Sequence, residues 1–253
     1  MRAMQQLLLA VLVVALPAGA HAGLTGVGVG AGIWNHDPRG HVASEGDRAD
    51  VEDALQIGSE RGFFVWADLR HAVPVLPRLK FQYTPLRLTG SGTASRNFRF
   101  AGVTFDGETN VGSEIELDQT DMILYWSPWR LLADIDVGVN VKYLDGLVEV
   151  EDRDSGDRAR VSFSGPLPML YGRTEVRFPG TGFFGGGEGS LLAYDGHRIL
   201  DLTLRLGYRA GYGVGSLALE GGWKHQSIRL DDFDDLDADM TVEGPYLGVA
   251  ARF

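Results

Sequence analysis

His225-Gln226-Ser227 places an imidazole and a hydroxyl two residues apart, on one face of a strand. A histidine beside a serine is a general base beside a nucleophile. The nearest downstream carboxylate of the glutamate type is Glu243, beyond an acidic stretch. That stretch, 231–239, holds Asp231, Asp232, Asp234, Asp235, Asp237 and Asp239. Clustered carboxylates can hold Ca²⁺, but the glycine and terminal glutamate of an EF-hand loop are missing. A solvated acidic loop is the plainer reading. His36, His41, His71 and His197 show no metal spacing. Gly185-Gly186-Gly187 lacks the Lys-Ser/Thr that completes a phosphate loop, so a sheet kink or close packing accounts for it. No metal or cofactor is expected.

The composition narrows what can surround these residues. The chain has 253 residues, 34 Asp+Glu against 23 Lys+Arg and a formal net charge of −11. A nucleic-acid binder would want a basic stripe instead. With no cysteine, disulfides, thiolate zinc sites and cysteine nucleophiles are excluded. The 35 glycines are about twice the usual share of roughly 7 %. That much glycine fits a sheet with many tight places better than a helical enzyme.

Residues 1–22 read as a secretory signal peptide. Arg2 supplies the positive start, Leu7–Leu16 is a continuous apolar run, and Pro17 ends it. Ala20-His21-Ala22 offers small residues to a signal peptidase, with cleavage expected after Ala22. No later segment has eighteen consecutive apolar residues, so no membrane-spanning helix is expected. The alternative way to cross lipid with every backbone group satisfied is a closed barrel.

Residues 23–253 read with a period of two. Ile135, Val137, Val139, Val141 and Tyr143 alternate with Asp136, Gly138, Asn140 and Lys142. Leu200, Leu202, Leu204, Leu206 and Tyr208 alternate with Asp201, Thr203, Arg205 and Gly207. Leu170–Phe178 repeats the pattern. Sandwich strands usually run about five or six residues, whereas these are of the length a tilted strand needs to cross a bilayer. The spacing predicts strands at 24–34, 60–70, 78–90, 113–126, 133–149, 160–178, 182–194, 198–209, 215–230 and 240–253. Long connections then alternate with short ones, the exception being the tight Asp195-Gly196-His197 on the long side. The fold class is therefore all-β, a transmembrane antiparallel up-and-down β-barrel of about ten strands. Ile115 and Leu117 have opposite parity to Met122, Leu124 and Trp126, which predicts a bulge in 113–126 and leaves eight strands as the alternative.

Several features concern the membrane. Leu247, Val249, Ala251 and Phe253 share a face, and the chain stops on the aromatic. With Tyr246 and Gly248 this resembles the C-terminal signal read by the barrel assembly machinery. Trp34, Tyr83, Trp126, Trp129, Tyr208 and Phe253 fit interfacial girdles. Asp134, Asp136, Lys142, Arg173, Glu175, Arg177, Glu188 and Arg205 are expected inside the lumen. Mixed signs in a narrow barrel read as a plug; a pore would need one sign to dominate one wall. His71-Ala72-Val73-Pro74-Val75-Leu76-Pro77 with Leu79-Lys80-Phe81-Gln82-Tyr83 resembles a turn and strand of a family of outer-membrane β-barrel proteins of Gram-negative bacteria. Gly165–Tyr171 and Leu230–Leu236 running into Gly244-Pro245-Tyr246 are similar to that family as well. The resemblance implies a barrel in the outer membrane and no substrate, so no functional residue carries over.

His225 and Ser227 are also similar to the His-x-Ser pair of outer-membrane lipid A deacylases. Ile228 stands where that family has asparagine, and a bulge at Gly221-Gly222 would turn the pair away from lipid. The expected role is therefore structural or surface-interactive, in a monomer without enzymatic activity. A narrow pore for small solutes is the alternative, and a lipid A-modifying hydrolase using His225 and Ser227 the second. Expected partners are outer-membrane lipid and lipopolysaccharide, the latter through cations at the acidic stretch, and the assembly machinery during insertion.

Overall fold

The computed structural model describes residues 24–44, 47–51, 55–73, 75–94, 97–130, 133–194, 196–233 and 236–253. The leader read at 1–22 lies outside these residues. The strands in chain order are β1 (Leu24–Ser44), β2 (Asp47–Asp50), β3 (Glu60–His71), β4 (Arg78–Thr93), β5 (Phe98–Phe100), β6 (Val103–Phe105), β7 (Asn110–Arg130), β8 (Ala133–Asp152), β9 (Arg158–Arg177), β10 (Phe183–Tyr194), β11 (His197–Tyr212), β12 (Gly215–Phe233) and β13 (Leu236–Arg252). Ten of them form a closed antiparallel barrel, each pairing with the next in sequence, and β13 pairs back onto β1. Closure extends to the last residue, since Val27 and Phe253 exchange both backbone hydrogen bonds at 3.0 and 2.8 Å. β2 adds to the end of β1, and β5–β6 is a small hairpin within the β4–β7 connection. Each described barrel strand thus has a partner on both sides, the shortest pairing being β3–β4, from Val65–Tyr83 to Leu69–Leu79. Ten strands, not eight, are present.

Two expectations are corrected. The acidic stretch is not a loop: β12 runs to Phe233 and β13 starts at Leu236, so Asp231, Asp232, Asp237 and Asp239 have strand backbone. The opposite parities in β7 need no bulge between them. The β7–β8 ladder is continuous from Val111 to Trp126 and shifts only between Trp126 and Trp129. Ile115 and Leu117 point inward and are buried, while Met122 and Trp126 point outward and are exposed. The apolar face changes sides because the lumen itself changes character along its axis.

That change organises the interior. At the short-turn end, a vestibule of about 190 Å³ is lined by Asp68, Arg70, Arg78, Asp136, Arg173, Arg252 and their neighbours. The middle is polar and crosslinked. At the loop end the lumen is an apolar core, where Leu86, Leu88, Ile115, Leu144, Val148, Ile199, Ile228 and Leu230 pack together. Val51, Leu55, Ile57, Phe98, Phe100 and Phe105, from the segments around β2 and β5–β6, close over it and are buried. The loop end is therefore held as a globular protein is held, by burial of apolar area. Its rim is ordered by local polar contacts. The Asp152 carboxylate accepts hydrogen bonds from the backbone N–H groups of Ser155 and Asp154, which hold its pKa below the usual carboxylate range.

Candidate functional site

The exterior site is built on three adjacent strands. Register pairs Asp37 of β1 with Glu243 of β13, and Glu243 with His225 of β12. One step toward the loop end, Arg39, Thr241 and Ser227 form the next row. The β12 ladder runs unbroken from Ser216 to Leu230 through Gly221-Gly222, so no bulge changes the parity. His225 and Ser227 thus share the outer face with Leu217, Leu219 and Trp223, all exposed. Lys224, Gln226 and Ile228 point into the lumen.

His225 Nδ1 lies 2.9 Å from Glu243 Oε2. Glu243 Oε1 is 3.7 Å from Arg39 Nη1, and Arg39 in turn bonds Asp37 at 2.7 Å. Asp37 also accepts from Ser59 Oγ at 3.0 Å. A carboxylate on Nδ1 fixes the tautomer in which Nε2 is the free base, the arrangement that orients a catalytic histidine. Ser227 is on the same strand face, two residues on. Sequence spacing alone hid the carboxylate: Glu243 looks remote across an acidic loop, but the β12–β13 hairpin folds it directly opposite His225. Of the acidic stretch, Asp239 makes an ion pair with Arg229, its ladder partner. Asp231 and Asp232 sit in β12 by backbone alone, and Asp234 and Asp235 lie outside the described residues.

The lumen is a second candidate, as a pathway. Of the charged residues expected inside, Asp136, Lys142, Arg173, Glu175, Glu188 and Arg205 lie within the lumen, whereas Asp134 and Arg177 pair with each other at the mouth of the vestibule, where Arg177 is exposed. Gln119 of β7 and Gln226 of β12, on strands five places apart in a ring of ten, exchange amide hydrogen bonds at 2.9 and 2.6 Å. Lys142 Nζ donates to Gln119 at 3.0 Å and Asp121 at 3.0 Å, and lies 3.1 Å from Asp201. Asn140 bonds Asp121 and Ser190, at 2.6 and 3.1 Å. Lys80 pairs with Glu188, which Arg205 also approaches at 3.5 Å. The space left in this layer is about 40 Å³, and that in the apolar core above it about 30 Å³. Each is of the size that holds one or a few waters.

Trp34, expected in an interfacial girdle, is instead in the lumen at 2 % exposure. There Lys224 Nζ lies 5.4 Å from its ring and 4.2 Å from that of Phe64. Trp126, Trp129, Tyr208 and Phe253 do face outward and are exposed. So are Leu247 and Val249 of the C-terminal strand, while Tyr246 and Ala250 point inward, as its alternation requires.

A closed barrel with an apolar outer band and a polar, crosslinked middle defines the class: a transmembrane β-barrel. No protein-family model matches the chain, and no curated protein matches it. Among solved structures, it is similar to Ail, the attachment invasion locus protein of Yersinia pestis, at 8 % identity over 91 % of this chain and 99 % of that one, TM-score 0.39. It is also similar to the outer membrane protease OmpT from Escherichia coli, at 10 % identity over 90 % of this chain and 97 % of that one, TM-score 0.42. A third is the Pseudomonas putida monoaromatic hydrocarbon channel TodX in a mutant form, at 9 % identity over 91 % and 90 %, TM-score 0.35. The assignment of class rests on the strand ladder and its two faces.

Proposed function

We propose that this chain is a monomeric outer-membrane barrel with a closed lumen, acting at the bacterial surface through its exterior and its loop end. The observation that carries this reading is the reciprocal Gln119–Gln226 bridge, which spans the middle of the barrel. Above it the described residues that fill the lumen form an apolar core. The partners on this reading are outer-membrane lipid, lipopolysaccharide, and the assembly machinery at insertion, with the turn end in the periplasm. Planar-bilayer recording tests it. The purified chain is expected to give no unitary conductance steps, and steady ion-selective steps would establish the narrow pore instead.

A second reading is favoured by one specific contact, His225 to Glu243. With Ser227 on the same lipid-facing side, the three residues have the composition of an ester-hydrolysing triad aimed at lipid. Ser227 would attack an ester carbonyl, His225 would take its proton, and Glu243 would hold the imidazole. Mass spectrometry of lipid A, with and without the chain, measures this directly. Loss of an ester-linked acyl group is expected, and Ser227→Ala should slow it by about 10⁴-fold or more. An unchanged acyl pattern with the wild type ends this reading and leaves the first intact.

A further inference from the structure

Arg198 of β11 and Arg229 of β12 stand directly opposite each other in the ladder, one row closer to the loop end than Ser227. Both face outward: Ile199, Ile228 and Leu230, which alternate with them, are buried in the apolar core. Like charges directly opposite on an antiparallel pair are destabilising. Asp239, on the far side of Arg229, takes up part of that charge through hydrogen bonds to Nε and Nη2. Arg198 is exposed and makes no polar contact among the described residues. Among the described residues, the arrangement sets the unengaged guanidinium of Arg198 beside the half-engaged guanidinium of Arg229. Guanidinium forks match phosphate oxygens in pairs, and an anion between two of them turns a repulsion into an attraction.

What lies beneath the arginines sets the kind of anion. Down the same outer face of β11 run Leu200, Leu202, Leu204 and Leu206, the last three exposed. Trp223 lies beside Leu204 on β12 and is exposed as well. A phosphate seated on Arg198 and Arg229 therefore has a continuous apolar strip directly below it, leading into the hydrocarbon. A soluble anion has no use for that strip, whereas a phosphate carried on acyl chains fits both parts. We propose that Arg198 and Arg229 form a headgroup site for a phosphorylated lipid of the outer leaflet. It is a binding site and holds whether or not Ser227 reacts.

The full chain is delipidated in detergent, and its affinity is measured by native mass spectrometry. The probes are lipid A bearing its phosphates, the same lipid chemically dephosphorylated, and inorganic phosphate. Phosphorylated lipid A is expected to bind at least about tenfold more tightly than the dephosphorylated form, on the scale of one lost charge-assisted contact. Arg198→Ala/Arg229→Ala should remove that preference. Arg158→Ala, which disrupts an exposed rim pair with Glu151, should not. Heat-modifiable migration verifies that the variant is folded, and folding is expected because both side chains are exposed and a surface ion pair such as Arg229–Asp239 contributes about 0–1 kcal/mol. In a parallel thermal scan, phosphorylated lipid A should raise the unfolding temperature of the wild type and not of the double variant. Equal binding of the two lipids, or an unchanged preference in the folded variant, overturns the site. Inorganic phosphate bound as tightly as the lipid overturns its assignment to a headgroup.

Discussion

Replacing Lys142 with methionine is expected to remove about 3–5 kcal/mol of stability, the range measured when one member of a buried ion pair is deleted. Lys142 is 3 % exposed at its side chain and Asp121 is 4 % exposed. The ammonium also lies 3.1 Å from Asp201 and donates to Gln119. The variant would thus leave two carboxylates near each other in the lumen with their shared cation gone, and Gln119 Oε1 would keep only the hydrogen bond from Gln226. The double variant Lys142→Met/Asp121→Asn restores charge balance and should recover a large part of the loss, a non-additivity expected of residues in one network. Urea unfolding in detergent, followed by heat-modifiable migration, measures both. A single variant as stable as the wild type would show that the lumen network is not what holds the middle of the barrel.

The strands that the sequence pattern reveals best are those flanked by lipid outside and polar side chains inside. Val137, Val139 and Tyr143 against Asp136, Asn140 and Lys142 is such a case, because the two environments differ sharply in polarity. At the loop end the contrast disappears. Leu144, Val148 and Val150 continue β8 with an apolar face turned inward, and Leu147 alternates with Asp145 and Glu149 on the outside. A reader who expects apolar residues to point at lipid sees there only a parity fault, and in β7 reads it as a bulge. Trp34 fails for the same reason: an aromatic near a strand end looks like a girdle residue until the register turns it inward. The inside-out core has no local signature, since it depends on which segments fold over the lumen.

The exterior site divides similarly. That His225 and Ser227 share a face follows from spacing alone. That Glu243 joins them follows from the β12–β13 register, which the run of aspartates conceals by resembling a loop. Arg198 and Arg229 are separated by a long hairpin and become neighbours only when the two strands are placed side by side. The polar crosslinks of the lumen and the site on the wall are built by the same strands, since β12 presents Lys224 and Gln226 inward and His225, Ser227 and Arg229 outward. A lumen crosslinked between β7 and β12 is thus a physical support for residues on the outer face, because it holds the strand on whose register they depend.

The abundant glycine finds its sharpest role in the same register. Gly222→Ala is expected to destabilise the barrel by at least about 1–3 kcal/mol, the usual range for overpacking, and to lower the yield of folded protein. A Cβ at this inward position would lie 1.9 Å from the backbone oxygen of Leu204, and rotating a side chain cannot relieve a clash with backbone. Gly222 also stands between Arg205 and Tyr246 on the adjacent strands. Gly138 is placed in the same way between Tyr125 and Tyr171, whose rings approach to 6.1 Å across it. Its Cβ would fall 2.1 Å from a backbone oxygen, as would that of Gly186 on β10. Small inward residues between large ones let a narrow barrel curve and still fill its interior. Gly172 supplies the control. It faces outward on β9, and nothing lies within 4 Å of where its Cβ would stand, so Gly172→Ala should leave assembly unchanged. The proportion of heat-modifiable protein in isolated outer membranes compares the two. If Gly172→Ala and Gly222→Ala assemble equally well, inward curvature is not what these glycines provide.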